Sequence, residues 1–519
     1  MTRWLLPLAI FLSAAASLAV ELTIVRLGAP YVGQSLFPWS AAITSVLLGL
    51  TVGHIAGGGL AAETADLRRL RLRLGLAWFA SALAAAIMPG AVALVVQSLA
   101  DGQGPGTGTV LALAGLAFPP SVAVGFVAPL AVRMTVMTAG TGLSRRVSLI
   151  YAASAAGSVA GTAMAGFVLL ERIGAAGLVG FVGAIWTMLA LLVLPWRDLP
   201  LARTIFGIAV FAGTVAAALL TGLPGPCLLE SRCTCIRLLD RPLADGGLLR
   251  FMILDEGVHS ASDRDRPERL HLGYAALADR LARGVLSASA APRALVIGGG
   301  GATLPRAWAA SPAAVTAIEL DPVVAAVANE QMWAGRQERL KTLIGDGRAV
   351  LRGLPQAETF DVALMDAYRT RSVPPHLVTR EFAAAVAARL SGNGVYLSNV
   401  IDRSATPALA ISVAWTLSEV FPAVDIWSAG GEQEAMTNYV VAAWKSDVGA
   451  HRPAREDVAA SVMHAGETVR FSTVSWRRVD AAAVAAAWPD ACAVVLTDDW
   501  APVDRLIAGR GGCTPGKER

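Results

Sequence analysis

Apolar residues fill the chain almost continuously up to about position 222, and beyond about 225 they break into short runs separated by charged and glycine-rich turns. Runs near 20 residues match the length at which a helix crosses a bilayer. They fall at 4–27, 39–61, 75–98, 109–132, 148–170, 174–195 and 204–222, so the pattern predicts about seven membrane-spanning helices. Arg3 ahead of the first run imitates a signal peptide, but that run is too long for one and further spans follow, so it is read as a retained helix.

Charge in the short loops sets the expected orientation. Arg68, Arg69, Arg71 and Arg73, then Arg133, Arg145 and Arg146, then Arg197 and Arg203 mark one set of loops, whereas 28–38 and 99–108 carry almost no positive charge. The positive-inside rule then places the N-terminus in the cytoplasm of a multi-pass inner-membrane protein. Seven crossings would carry the C-terminal half to the far side; a re-entrant span or a count that differs by one would return it. Gly49, Gly53 and Gly57, and again Gly157 and Gly161, repeat at four-residue spacing. Such seams let helix backbones approach closely, and simple packing is the preferred reading over a transport bundle. Glu21, Arg26 and His54 are the ionisable residues nearest membrane depth, where such groups often mark a ligand contact or snorkel to the interface.

In the second half, Cys235–Leu239 and Leu248–Leu254 flank Asp245-Gly246-Gly247, a hairpin signal. A helical stretch at Leu270–Arg283 follows. Buried-type strands then end in Gly298, in Glu319, in Gly345-Asp346-Gly347, in Asp366 and in Asp402, each followed by a helical stretch. That alternation predicts a parallel sheet with ligands at the strand C-termini. Val424–Trp427 and Tyr439–Trp444, around Gly430-Gly431, close it with an antiparallel hairpin. The expected architecture is a multi-pass α-helical membrane domain (1–224), a small β-rich module with a linking helix (225–288), an α/β methyltransferase-type Rossmann domain (289–446) and a C-terminal extension (447–519).

Composition narrows the function. A net charge of +4 over 519 residues leaves no footprint for nucleic acid. The five cysteines lack a CxxC pair and histidines at zinc spacing, so no metal site is expected. A bridge such as Cys492 to Cys513 would require an oxidising compartment.

The chemistry gathers at the strand ends. Gly298, Gly299 and Gly300 follow a buried strand, and Glu319 ends the next one at the spacing from which a carboxylate binds ribose hydroxyls. Asp346, beside Gly347, either accepts from an adenine amino group or caps the following helix. Asp366 ends the fourth strand, where a carboxylate attracts an ammonium and takes its proton as general base.

In order and spacing these motifs resemble the membrane-fused branch of the spermidine synthase (polyamine aminopropyltransferase) family, across roughly Leu228 to Trp444. The resemblance rests on Glu230-Ser231, Leu254-Asp-Glu-Gly-Val258, Tyr274, Val296-Ile-Gly-Gly-Gly-Gly301, Glu319-Leu-Asp-Pro322, Gly345-Asp-Gly347 and Phe360-Asp-Val-Ala-Leu-Met-Asp366, with Leu496-Thr-Asp-Asp-Trp-Ala-Pro-Val-Asp504 near the C-terminus. It implies decarboxylated S-adenosylmethionine held by Glu319 and Asp346, with an amine activated by Asp366 and Tyr274, Tyr368 and Arg369 against the substrate. The family's glycine loop carries Asp where this chain has Gly301, its Asp-Ser-Ser-Asp-Pro is here Asp366-Ala-Tyr-Arg-Thr, and its Tyr-Gln is replaced at Cys233-Thr234-Cys235. Two carboxylates fewer, with Arg369 and Arg371 gained, disfavour a diamine such as putrescine and suit an anionic group, such as the carboxylate of intact S-adenosylmethionine. The leading expectation is a membrane-anchored enzyme transferring an aminopropyl group to an amine. Cleavage of, or methyl transfer from, intact S-adenosylmethionine is the second, and a non-catalytic nucleoside sensor or transport-associated domain the third. Soluble relatives associate, so the resemblance also implies a homo-oligomer.

Overall fold

A computed structural model describes residues 4–32, 36–99, 107–138, 142–195, 227–231, 233–368, 372–430, 436–446, 453–462, 470–489, 491 and 493–508. The chain forms two compact units, Met1–Arg237 and Leu238–Arg519.

The first unit is helical: α1 (Leu5–Val32), α2 (Leu36–Ala62), α3 (Leu67–Leu99), α4 (Thr107–Gly115), α5 (Phe118–Gly125), α6 (Val127–Thr138), α7 (Leu143–Met164) and α8 (Leu170–Val193), the last two joined by one π-helical turn. Among the described residues, five helical stretches are long and apolar enough to cross a membrane. The last of them, Leu143–Val193, runs 51 residues, about 75 Å of helix against a hydrocarbon core of about 30 Å. Gly174, at φ 66° and ψ 175°, interrupts it, so it has the length and the break for two passes. Pro119 and Pro120 sit in the first turn of α5, where a missing N–H costs no hydrogen bond. The span expected at 204–222 lies outside the described residues.

The glycine seams are contact lines. A Cβ on Gly157 or Gly161 of α7 would lie 2.1 Å from the carbonyl oxygens of Phe11 and Ala15 of α1. One on Gly53 of α2 would meet the Val122 oxygen of α5 at 2.2 Å. Close backbone approach is the means by which helices associate where lipid is as apolar as leucine. Arg26 is buried and donates from Nη2 to the Ser231 carbonyl at 2.5 Å, while His54 sits on an exposed face of α2. A disulfide links Cys227 to Cys235, across the pairing of β1 (Leu229–Glu230) with β2 (Cys235–Pro242).

The second unit continues from β2 into β3 (Leu248–Leu254) and β4 (Gly257–Asp263), whose turn uses Asp255 at φ 52°. Helix α9 (Gly273–Ala288) leads to the nine-stranded sheet, ordered β12-β13-β10-β11-β9-β8-β5-β6-β7. Its parallel part is β5 (Arg293–Ile297), β6 (Ala314–Glu319), β7 (Leu340–Ile344), β8 (Phe360–Met365) and β9 (Leu390–Arg403). The antiparallel part is β10 (Ala423–Ser428), β11 (Met436–Trp444), β12 (Arg455–Val462) and β13 (Arg470–Asp480). Residues 455–480 thus add two strands to the expected sheet. One face packs on α9, with Trp308 at its centre; the other packs on a second apolar layer containing Phe360, Phe382 and Leu409. This is a methyltransferase-type Rossmann sheet, with β5 in the middle of the five parallel strands and the loops after β5, β6 and β8 opening at their C-terminal edge.

Candidate active site

The glycine turn brings two strand ends together. Gly298 adopts φ 96°, open to glycine alone, and a Cβ there would fall 2.3 Å from the Asp366 carbonyl oxygen. Gly300 adopts φ 48° and donates its N–H to Glu319 Oε2 at 2.8 Å, while Glu319 Oε1 accepts from Asp321 N at 3.0 Å. Burial raises the Glu319 carboxyl despite those bonds. A carboxylate accepts about four hydrogen bonds, so lone pairs remain for a diol. Gly299 and Glu319 border a small cleft closed by Ala325, Ala328 and Asn329.

Asp346 caps the helix Gly347–Gly353, accepting from Arg348 N at 3.1 Å and Ala349 N at 2.9 Å, the capping alternative read in the sequence. Its other oxygen meets His376 Nε2 at 2.7 Å. Burial pushes the Asp346 carboxyl up, but the Ala349 N–H, His376 and the Arg348 N–H together hold it below its ordinary value. Gly347 packs the helix on β5, since a Cβ would lie 2.5 Å from Ile297 Cγ2.

Asp366 faces an adjoining cavity of about 650 Å³, a size suited to a small ligand, which shares Gly299 and Gly300 with the cleft beside Glu319. Tyr274 donates its hydroxyl to Asp366 Oδ2 at 2.9 Å and Asn399 its amide to Oδ1 at 2.8 Å. Asn438 in turn donates to Asn399 Oδ1 at 2.9 Å. Burial pushes the Asp366 carboxyl up to about 6, with the Asn399 and Tyr274 bonds restraining it. That value leaves the group ionised at neutral pH yet able to hold a proton, the range a general base needs. The Tyr368 hydroxyl donates to the Asn399 carbonyl at 2.5 Å and accepts from Ile401 N at 2.9 Å, so it braces the strand beneath Asp366. Arg369 and Arg371 lie outside the described residues.

The sequence reading overlooked Asn399, Asn438 and His259, which also line the cavity. Asn399 had a visible signal, an amide inside the apolar run Val395–Ile401, where an uncompensated polar group is costly. Burial lowers His259 to about 4, so its ring is neutral at neutral pH.

Residues 281–430 match the family model described as the spermine/spermidine synthase domain. Over this stretch, less than a third of the chain, the protein is similar to the spermine/spermidine synthase family. The chain is 32% identical over 116 residues to the polyamine aminopropyltransferase of Vibrio vulnificus (strain CMCP6), covering 22% of this chain and 38% of that one. It is 30% identical over 171 residues to the N-terminal histidine N-methyltransferase of Emericella nidulans, covering 32% and 30%. The match therefore spans well under two thirds of either relative. A probable spermidine synthase from Corynebacterium glutamicum ATCC 13032 aligns with a TM-score of 0.41 at 19% identity, over 52% of this chain and 95% of that one.

Proposed function

We propose that this spermine/spermidine synthase domain transfers an aminopropyl group from decarboxylated S-adenosylmethionine to an amine, and that the apolar helices anchor it in the inner membrane. The observation that carries this reading is Asp366: one carboxylate, fixed by Tyr274 and Asn399, beside the glycine turn and facing a cavity. Glu319 would hold the ribose and the Asp346–Gly347 turn the adenine, with Gly298, Gly299 and Gly300 letting the donor lie close to backbone. Asp366 takes one proton from the acceptor ammonium. The freed nitrogen lone pair attacks the aminopropyl carbon bonded to sulfur, a C–N bond forms as the C–S bond breaks, and the electron pair returns to sulfur. Methylthioadenosine leaves neutral, the product departs as a secondary ammonium, and Asp366 returns its proton to solvent.

This reading is tested by the pH profile of turnover in the purified full-length chain. An acidic limb near pH 6 that disappears together with activity in Asp366→Asn supports it; a variant retaining wild-type turnover refutes it. Methyl transfer from intact S-adenosylmethionine remains the second reading, supported by the similarity to the Emericella enzyme.

The Cys227–Cys235 disulfide supports the orientation given by seven crossings, because such bonds persist in oxidising compartments. The soluble half then faces outward, and its donor must reach that face. Protease digestion of intact spheroplasts should remove the soluble half; complete protection would place it inside.

A further inference from the structure

The motif at 496–504 takes no part in the chemistry above, yet its Asp498 grips the helix that Asp346 caps. Arg348, in the first turn of the helix Gly347–Gly353, donates Nη1 to Asp498 Oδ1 at 2.6 Å and Nη2 to Oδ2 at 2.5 Å. Two parallel bonds of this kind fix the orientation of both groups. Thr379 adds its hydroxyl to Asp498 Oδ1 at 2.7 Å, and the Asp498 N–H donates to Glu381 Oε2 at 3.0 Å. The Arg348 guanidinium, helped by the Thr379 hydroxyl, holds the Asp498 carboxyl down to about 2 against partial burial, so the pair is charged at neutral pH. The segment itself is anchored. Leu496 and Val503 are buried, Arg380 N donates to the Leu496 carbonyl at 2.9 Å, and Leu496 N donates to Thr416 Oγ1 at 2.8 Å.

From Arg348 the network reaches the nucleoside turn. Its Nη1 also donates to the His376 carbonyl at 3.3 Å, and His376 Nε2 meets Asp346 Oδ2 at 2.7 Å. His376 sits in the short helical turn Pro375–Leu377, and Ser372 ahead of it donates its hydroxyl to Asp504 Oδ1 at 2.6 Å. The loop that carries His376 is thus tied to the C-terminal motif on both sides. Asp346 Oδ1 is occupied by the capping N–H groups of Arg348 and Ala349. A carboxylate oxygen offers two lone pairs, so Oδ2 keeps one beyond its contact with His376, and the place of His376 sets where that lone pair points.

We propose that Asp498 is a positioning residue for the nucleobase: through Arg348 and His376 it orients the Asp346 carboxylate toward the 6-amino group of the donor's adenine. This rests on reading the Asp346–Gly347 turn as the adenine end of the donor site. The test is calorimetric titration of the detergent-solubilised full-length protein with methylthioadenosine and with its analogue lacking the 6-amino group. Wild type, Asp498→Ala and Arg348→Ala are compared, and thermal unfolding is recorded for all three. Wild type is expected to prefer methylthioadenosine by at least about tenfold, the effect of one hydrogen bond to a charged group. Both variants are expected to lower that preference to about threefold or less, with the affinity for the analogue little changed. A merely structural weakening would reduce both affinities alike and keep the ratio; an unchanged ratio overturns the proposal and leaves the adenine reading in place. Absence of any preference in wild type overturns the adenine reading and the proposal together. Should Asp498→Ala fail to fold, Arg348→Ala decides, because its backbone N–H still donates to Asp346.

Discussion

Replacing Asp366 by Asn should make the protein more stable at pH 8 while abolishing its chemistry. Burial moves this carboxyl from 3.8 to about 6, so the fold disfavours its ionised form. A group raised in this way contributes stability in full below its unfolded value, and that contribution is lost as pH rises through about 6. A shift of about two units corresponds to about 3 kcal/mol. Because the carboxylate faces an open cavity, solvent screening reduces the recoverable part to roughly 1–2 kcal/mol. Asparagine keeps the shape and can still accept from Asn399, while its amide donates to the Tyr274 oxygen after the hydroxyl turns. At roughly 2–4 °C per kcal/mol for a domain of this size, thermal unfolding at pH 8 should shift upward by about 2–8 °C. At pH 5 about half of the gap should remain, and it should close only as pH falls below the unfolded value of 3.8. Turnover should fall by about a hundredfold or more, the contribution of a positioned base. An Asn variant no more stable than wild type at pH 8 would refute the assignment of a buried, penalised carboxylate.

Other substitutions probe the remaining parts of the account. Glu319→Ala removes the acceptor of the Gly300 and Asp321 N–H groups and should weaken methylthioadenosine binding by about tenfold or more in calorimetry. Gly301→Ala drives a methyl against Ser260 and should lower unfolding free energy by about 1–3 kcal/mol, measured by denaturant titration; an unchanged midpoint would mean that the turn yields freely. Gly157→Leu should prevent α1 and α7 from closing and sharply reduce folded yield in detergent, whereas Gly166→Leu, where an added Cβ meets nothing within 4 Å, should not.

What was legible in the sequence follows the strength of each local signal. The β5, β6 and β8 strands are short continuous apolar runs that end in glycine or acid, and each lies within a residue of its expected place. The β12 and β13 strands were invisible because Arg455, Glu456, Asp457, Arg477 and Arg478 interrupt any apolar alternation, as charges commonly do on strands near a sheet edge. The disulfide was missed because spacing alone does not pair cysteines; the antiparallel register of Glu230 with Cys235 brings Cys227 alongside. Tyr274 stands 92 positions before Asp366, and only the packing of α9 on the sheet makes them a hydrogen-bonded pair.

The most direct test is product analysis of the purified full-length protein supplied with decarboxylated S-adenosylmethionine and a primary amine. The account predicts methylthioadenosine and the aminopropylated amine in equal amounts, both lost in Asp366→Asn. Formation of S-adenosylhomocysteine from the intact nucleoside, with no methylthioadenosine from the decarboxylated one, would contradict it.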